Sequence, residues 1–435
     1  MNPAADAADD VCALCARPVD ELRPAGELGP VVAHLVEDNA KGTLGICPEC
    51  GERAAALGEA LRRRERLFPP GSWRILPTPL RVGAPPQLTG RGVTIAFLDA
   101  GFYAHPDLVE PRNRILRYFD LTNPRARHAE LDVPGASCWH GLMTSSVACG
   151  NGRLSGGFYR GLASESDLVL VKVGTARRIV HDDIRRGLDW VIRHRRRYGI
   201  RIVNVSCGGD YEASYLDDGL SQSVERATRA GLLVVTAAGN VAGRGGVVPP
   251  ASAPSALTVG GLDDKNRLAF RGYDMYHSSF GPTPDGLQKP EVIAPAMFVA
   301  APILPDTDTA REVRELVRLA ETADGELPDR LRESGLELGL EEGAAGDPER
   351  VRAAVRAALR EQNVINADYK HVDGSSFAAP IVASAAAQLL ELDPGLSPQQ
   401  LKLALIRSAR RLPHVPVDRQ GWGVVDVARA TRRGR

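Results

Sequence analysis

The chain has 435 residues, with 54 basic and 54 acidic side chains and 43% hydrophobic residues. That length exceeds one small domain and suits a large α/β core with attachments, while the balanced charge excludes a global field that would draw nucleic acid or an anionic membrane. The N-terminal "MNPAADAADDVCALC" lacks the basic and apolar regions of a secretory signal, and no apolar stretch approaches the roughly 18 residues that span a bilayer; a soluble cytoplasmic protein with no membrane partner is expected.

Four of the seven cysteines form two C-x-x-C pairs, Cys12 with Cys15 and Cys47 with Cys50. Two thiolates on a tight turn supply half a tetrahedron, and "CPECG" supplies the other half, so residues 1–65 read as a four-cysteine module stapled by structural zinc, with its following helix. Residues 1–65 contain no Phe, Trp or Tyr, which favours a metal as organiser and argues against an iron site of rubredoxin type. A disulfide pairing fits poorly with the missing secretion signal. The pattern "CALC…GICPECGE" resembles a zinc ribbon or treble clef. Nuclease treble clefs use paired histidines near the metal and this segment has only His34, so the expected site is structural and calcium binding is left undetermined.

A charged helix over "ERAAALGEALRRRERLF" leads into the Pro-rich "PPGSWRILPTPLRVGAPPQLTG", and residues 66–90 read as a linker. The arginines at 62, 63, 64 and 66 read as one face of a solvated helix.

From residue 91 to 435 the pattern becomes short apolar strands alternating with amphipathic helices. "VTIAFL" (93–98), "DLVLVKV" (167–173), "IRIVNVS" (200–206) and "LLVVTAA" (232–238) have the character of parallel strands buried on both faces. Ile184, Leu188, Val191 and Ile192 follow helical spacing, and "SQSVERATRAG" ends in a glycine suited to helix termination. The expected fold is a doubly wound, mostly parallel α/β sheet with helices on both faces, whose ligands sit beyond the carboxyl ends of its strands.

Polar residues stand at those ends. Asp99 follows the first strand, Asn240 closes "VVTAAGN", His140 opens "HGLMTSSVACG", and Ser376 lies in "DGSSFAAP" at the mouth of a helix. A serine hydroxyl becomes nucleophilic when a neutral imidazole takes its proton, the imidazole needs a carboxylate to fix its tautomer, and the oxyanion needs preset donors. At the first turn of a helix Ser376 offers its own N–H in a field that favours negative charge.

In the order Asp, His, Ser, the segments "TIAFLDAGFYAHPDL", "HGLMTSSVACG" and "DGSSFAAPIVAS", joined by "IVNVSCGGD", "GLLVVTAAGN", "KPEVIAPA" and "GWGVVDVARA", resemble the subtilisin-like serine proteases, or subtilases, over about residues 88–432. The resemblance implies a subtilisin-like fold and peptide-bond hydrolysis through an acyl-enzyme. It further implies Asp99, His140 and Ser376 as the triad, Asn240 with the Ser376 N–H as the oxyanion hole, and Ser206, Cys207, Gly208 and Gly209 as a substrate-binding edge.

The chain departs from the family pattern at Ala100, Leu142, Ser375, Phe377 and Ala379, and none of these removes a catalytic group. Ala100 deprives Asp99 of a neighbouring hydroxyl, and Cys207 reads as a packed thiol. Pro295 and Gly374, normally about a score of residues apart in the family, are 79 apart here, which marks an insertion over about 303–368. Two amphipathic helices are expected in it, one with a capping box at Thr309 and Glu312, the other started by Asp347 and Pro348. A lid over the cleft and a decoration packed elsewhere are both open. The 90 residues before the catalytic region are taken up by the zinc module and linker, so control by substrate choice, the zinc module or a partner is expected in place of an inhibitory propeptide. Two function classes follow: an intracellular serine endopeptidase acting on protein or peptide substrates, with a protein partner docking on the zinc module or the insertion, and a subtilase-fold binding or signalling protein with latent or partner-gated catalysis.

Overall fold

The computed structural model describes residues 67–432 except 124, 176 and 342, together with 23, 24, 45, 46, 48, 50 and 51. Cys12, Cys15 and Cys47 lie outside the described residues; Cys50 is described and buried.

Eight strands form the central sheet: β1 (Thr94–Asp99), β2 (Ile115–Asp120), β3 (Asp167–Lys172), β4 (Ile200–Val205), β5 (Leu233–Ala237), β6 (Leu257–Asp263), β7 (Asp274–Met275) and β8 (Val292–Pro295). Their order is β2-β3-β1-β4-β5-β6, with β8 parallel and the short β7 antiparallel on the free edge of β6. The remaining pairs are parallel. The chain therefore reverses its winding direction at β1, and a crevice opens beyond the carboxyl end of that strand, where Asp99 stands.

Alternation along the strands builds two cores. Ile95 and Phe97 of β1 face α1 (Cys138–Cys149) and α7 (Ser375–Leu392), whereas Ala96 and Leu98 face α2 (His181–Tyr198) and α3 (Gly219–Arg229). Each fully buried side chain of Phe or Leu size adds about 1.5–3 kcal/mol, so both faces hold β1 and the position of Asp99. On α2, Ile184, Leu188 and Val191 are buried as their spacing predicts, and Gly231 beyond α3 takes a left-handed φ of 92°.

Helix α7 passes, by length and composition, the test for a membrane span that no stretch was expected to meet. Its burial accounts for that composition: 83% of the helix lies inside the protein, packed on α1 and on strands β4, β5, β6 and β8. The linker also differs from expectation. Phe68, Ile75, Leu76 and Val82 are buried, and the Arg81 guanidinium forms a buried pair with Asp264 through bonds of 2.7 Å to both carboxylate oxygens. Proline content signalled irregular backbone there, and apolar side chains nevertheless bind that backbone to the domain.

The insertion leaves from β9 (Val299–Pro302) and returns through β10 (Tyr369–Val372), which pair antiparallel. Between them lie α4 (Asp308–Glu321), α5 (Leu327–Ser334) and α6 (Pro348–Glu361). Val313, Leu316 and Val317 of α4 join Val351, Val355 and Leu359 of α6 in a hydrophobic cluster of their own. Helix α4 is capped by Thr307, not Thr309, because the Thr307 hydroxyl accepts the Ala310 N–H; Asp347 caps α6 as expected. At the root, Leu304 packs with Cys138 and Leu142 of α1, and the Tyr369 hydroxyl donates to Asp107 at 2.5 Å.

Candidate active site

Asp99 ends β1 with its carboxylate 1% exposed, and His140 sits in the first turn of α1. The helix comes close because residue 141 is glycine: a Cβ there would lie 2.0 Å from the Gly101 carbonyl oxygen. This approach puts His140 Nδ1 at 2.8 and 2.9 Å from the two oxygens of Asp99. The carboxylate also accepts the Ala100 N–H at 2.8 Å and the Thr144 hydroxyl at 3.1 Å. Thr144 lies four residues after His140, on the same helix face, and supplies a hydroxyl to Asp99 although position 100 has none. Burial alone would lower the His140 pKa; the Asp99 charge and hydrogen bond outweigh it and hold the imidazole above the ordinary histidine value.

The serine side is built from a turn and a helix start. Gly374 has a φ of 145°, a region that side-chain-bearing residues avoid, and its N–H donates to Ala296 O at 2.7 Å. Asp373 accepts the Phe298 N–H at 2.8 Å, and Arg81 binds the Met297 and Phe298 carbonyls, so the segment 67–82 reaches the nucleophile turn through a chain of hydrogen bonds. Asn240 Oδ1 accepts both the N–H and the hydroxyl of Ser375, at 2.9 and 2.8 Å. With its oxygen occupied, the Asn240 amide presents Nδ2 as donor beside Gly374.

Pro380 lies inside α7 and cannot donate back to the carbonyl four residues earlier, which belongs to Ser376. The Ser206 hydroxyl takes the place of that donor, donating to Ser376 O at 2.8 Å while accepting from Asn204 Nδ2 at 2.9 Å. The Ser376 hydroxyl in turn donates to Ser206 O at 3.2 Å. A hydroxyl has one proton, and Ser206 O is the acceptor that the structure sets beside it.

Residues 90–423 match the family model Peptidase_S8, described as the subtilase family. The chain belongs to the subtilase family. Serine protease AprX of Bacillus subtilis (strain 168) is 29% identical over 329 residues, 72% of this chain and 60% of that protein. Subtilisin Savinase of Lederbergia lenta is 31% identical over 194 residues, 43% of this chain and 62% of that protein. The chain thus spans about 60% of the length of these curated relatives. Among solved structures, a mutant of the protease domain of PatA superposes with a TM-score of 0.52 at 22% identity, covering 80% of this chain and 96% of that one. The prenylagaramide maturation protease PagA gives 0.51 at 20% identity, with coverage of 78% and 92%. Both likenesses show the fold.

The remaining expected site residues of this subtilase lie on the segment after β4. Gly209 is pinned from behind: its N–H donates to Pro249 O at 2.6 Å, and a Cβ on it would meet His181 Nδ1 at 2.3 Å. A Cβ on Gly208 would meet Val248 at 2.9 Å. The Gly209 N–H is therefore already committed within the protein. Cys207 packs beside the core under α2 and α3, and burial with the nearby Asp99 charge raises its thiol pKa well above the usual value. Phe377 is buried and places its ring 5.7 Å from the His140 ring. Thr144 and Asn204 were not picked out by the sequence reading; a hydroxyl four residues after a candidate histidine is the signal that finds Thr144.

Proposed function

We propose that this subtilase is a serine endopeptidase that hydrolyses protein or peptide substrates through an acyl-enzyme on Ser376. The observation that carries the reading is the contact of His140 Nδ1 with both Asp99 oxygens at 2.8 and 2.9 Å. That contact fixes the neutral tautomer with its lone pair on Nε2, the form a general base requires. The Ser376 hydroxyl leaves Ser206 O, gives its proton to His140 and attacks the substrate carbonyl carbon. Negative charge then develops on the carbonyl oxygen, where Asn240 Nδ2 and the Ser376 N–H donate. His140 hands the proton to the departing amine, and a water repeats the sequence on the ester.

Incubating the purified chain with an unfolded protein and identifying new termini by mass spectrometry tests the reading. Wild type should generate new termini and Ser376→Ala should not, with a loss of about 10⁶-fold, the size found when a subtilisin nucleophile is removed. Equal cleavage by both would refute it.

A second reading, catalysis gated by a partner, is favoured by one observation: the Ser376 hydroxyl is bonded to Ser206 O. Under that reading the wild type would stay silent until a partner reorients the serine. Two further elements belong to the proposal. Cys12, Cys15, Cys47 and Cys50 hold one structural zinc, supported by their C-x-x-C spacing and tested by metal content of the full chain against Cys47→Ser. The enzyme works in the cytoplasm, a reading supported by the free thiols of Cys138, Cys149 and Cys207 and tested by fractionation.

A further inference from the structure

Helix α1 is submerged except at one place. Of its twelve residues ten are buried, and the two that reach solvent are neighbours, Trp139 and His140. Trp139 is 48% exposed, one of the largest apolar side chains the described surface leaves uncovered. Its ring meets the His140 imidazole edge to face, with centroids 5.2 Å apart and planes at 88°. The imidazole thus has two aromatic neighbours, buried Phe377 at 5.7 Å and open Trp139 at 5.2 Å. An open indole beside a reacting group offers a large apolar surface to a bound molecule.

Nδ1 is engaged by Asp99, so Nε2 faces the reacting atoms, and it is Nε2 that protonates the departing amine. Trp139 packs on that same imidazole. Ser376, Asn240 and Ser206 hold the other part of the substrate, the acyl half.

We propose that Trp139 is a specificity-determining residue, the wall of an apolar subsite for the residue that follows the scissile bond. The preferred substrates are then polypeptides with a large aliphatic or aromatic side chain directly on the leaving-group side. This inference rests on the endopeptidase reading. The side chain covers the indole as the substrate seats, and its burial strengthens binding in the Michaelis complex and in the transition state for acylation, before the amine departs.

The test uses the full chain and two peptide series, one varying only the residue after the cleaved bond through Phe, Leu, Ala and Gly, the other varying only the residue before it. Values of kcat/KM are normalised to serine sites titrated with a fluorophosphonate. Wild type should favour Phe or Leu over Gly after the bond by about tenfold or more, the discrimination typical of one apolar contact. Trp139→Ala should reduce that ratio to within about twofold, Trp139→Phe should retain most of it, and all three should rank the other series alike. The same leaving-side ratio in Trp139→Ala overturns the subsite, as does a collapse of both rankings together, which marks a structural defect. A wild type that labels and cleaves without leaving-side preference overturns the subsite alone. A wild type that neither labels nor cleaves overturns the endopeptidase reading and the subsite with it.

Discussion

The two halves of the site differ in readiness. On the histidine side, Asp99 already holds His140, and the Ala100 N–H and the Thr144 hydroxyl hold Asp99. On the serine side the scaffold is just as fixed, through Gly374, Asp373, Ser375 and Asn240, yet the reacting hydroxyl itself rests on the Ser206 carbonyl. The Asp99–His140 contact rests on a strand end and a helix that pack against each other. The Ser376 side chain turns about its Cα–Cβ and Cβ–Oγ bonds, and its hydroxyl takes the acceptor in reach. Under the proposed function, the serine hydroxyl has to leave Ser206 O before it can react, whereas the Asp99–His140 contact is already in place.

Substitutions can break that contrast from either side. Asp99→Asn should have the largest effect among the supporting residues, a loss of about 10⁴-fold in kcat, the size found when the carboxylate of a Ser-His-Asp triad is neutralised. The sign of its pH effect is fixed by the His140 balance: burial lowers the imidazole pKa and the Asp99 charge raises it. Without the charge, burial prevails, so the acid limb of kcat/KM moves to lower pH in the variant. An unmoved limb would detach Asp99 from the base.

Arg81→Met attacks the serine scaffold from outside the cleft. It strands the Asp264 carboxylate and the Met297 and Phe298 carbonyls. A loss of about 3–5 kcal/mol in unfolding free energy is expected from breaking a buried pair on one side, measured by urea denaturation. An unchanged midpoint would mean that residues 67–82 contribute little to the domain.

Asn240→Leu removes the side-chain oxyanion donor and should lower kcat by about 10²–10³-fold with little change in KM, a range established on subtilisin itself. A change confined to KM would place Asn240 in ground-state binding. Thr144→Val should have the smallest effect, about tenfold in kcat/KM, because one hydrogen bond to a charged group is lost. Thr144→Ser, which keeps the hydroxyl, should restore most of the rate; equal loss in both would make Thr144 a packing residue only.

The sequence revealed these regions unevenly. β1, β3, β4 and β5 are continuous apolar runs, so they stood out with bounds within a residue or two. β2 was harder, since "ILRYFD" mixes exposed Leu116 with buried Ile115 and Tyr118 at the sheet edge. Asp99, His140, Ser376 and Asn240 were visible as an ordered set at strand ends and helix starts. The supports that fix them were not: Thr144 reaches Asp99 over 45 positions of sequence and Arg81 meets Asp264 over 183, while Asn204 acts on Ser206 two residues on, within a strand end that reads only as apolar. Helix α5 also escaped, being only eight residues long with just Leu327 and Leu331 buried. The segment 67–90 was read from its prolines, which report backbone conformation and say nothing about burial.

The most direct test of the central claim, a preformed Asp99–His140 base acting on Ser376, is the pH dependence of labelling by a small fluorophosphonate. The rate should rise along one limb with its midpoint above the ordinary histidine value of about 6.5, because the raised pKa keeps the imidazole protonated to higher pH. That limb should move down in Asp99→Asn, and labelling should vanish in Ser376→Ala. A folded wild type that stays unlabelled across the range, or labels at a rate indifferent to pH, would contradict it.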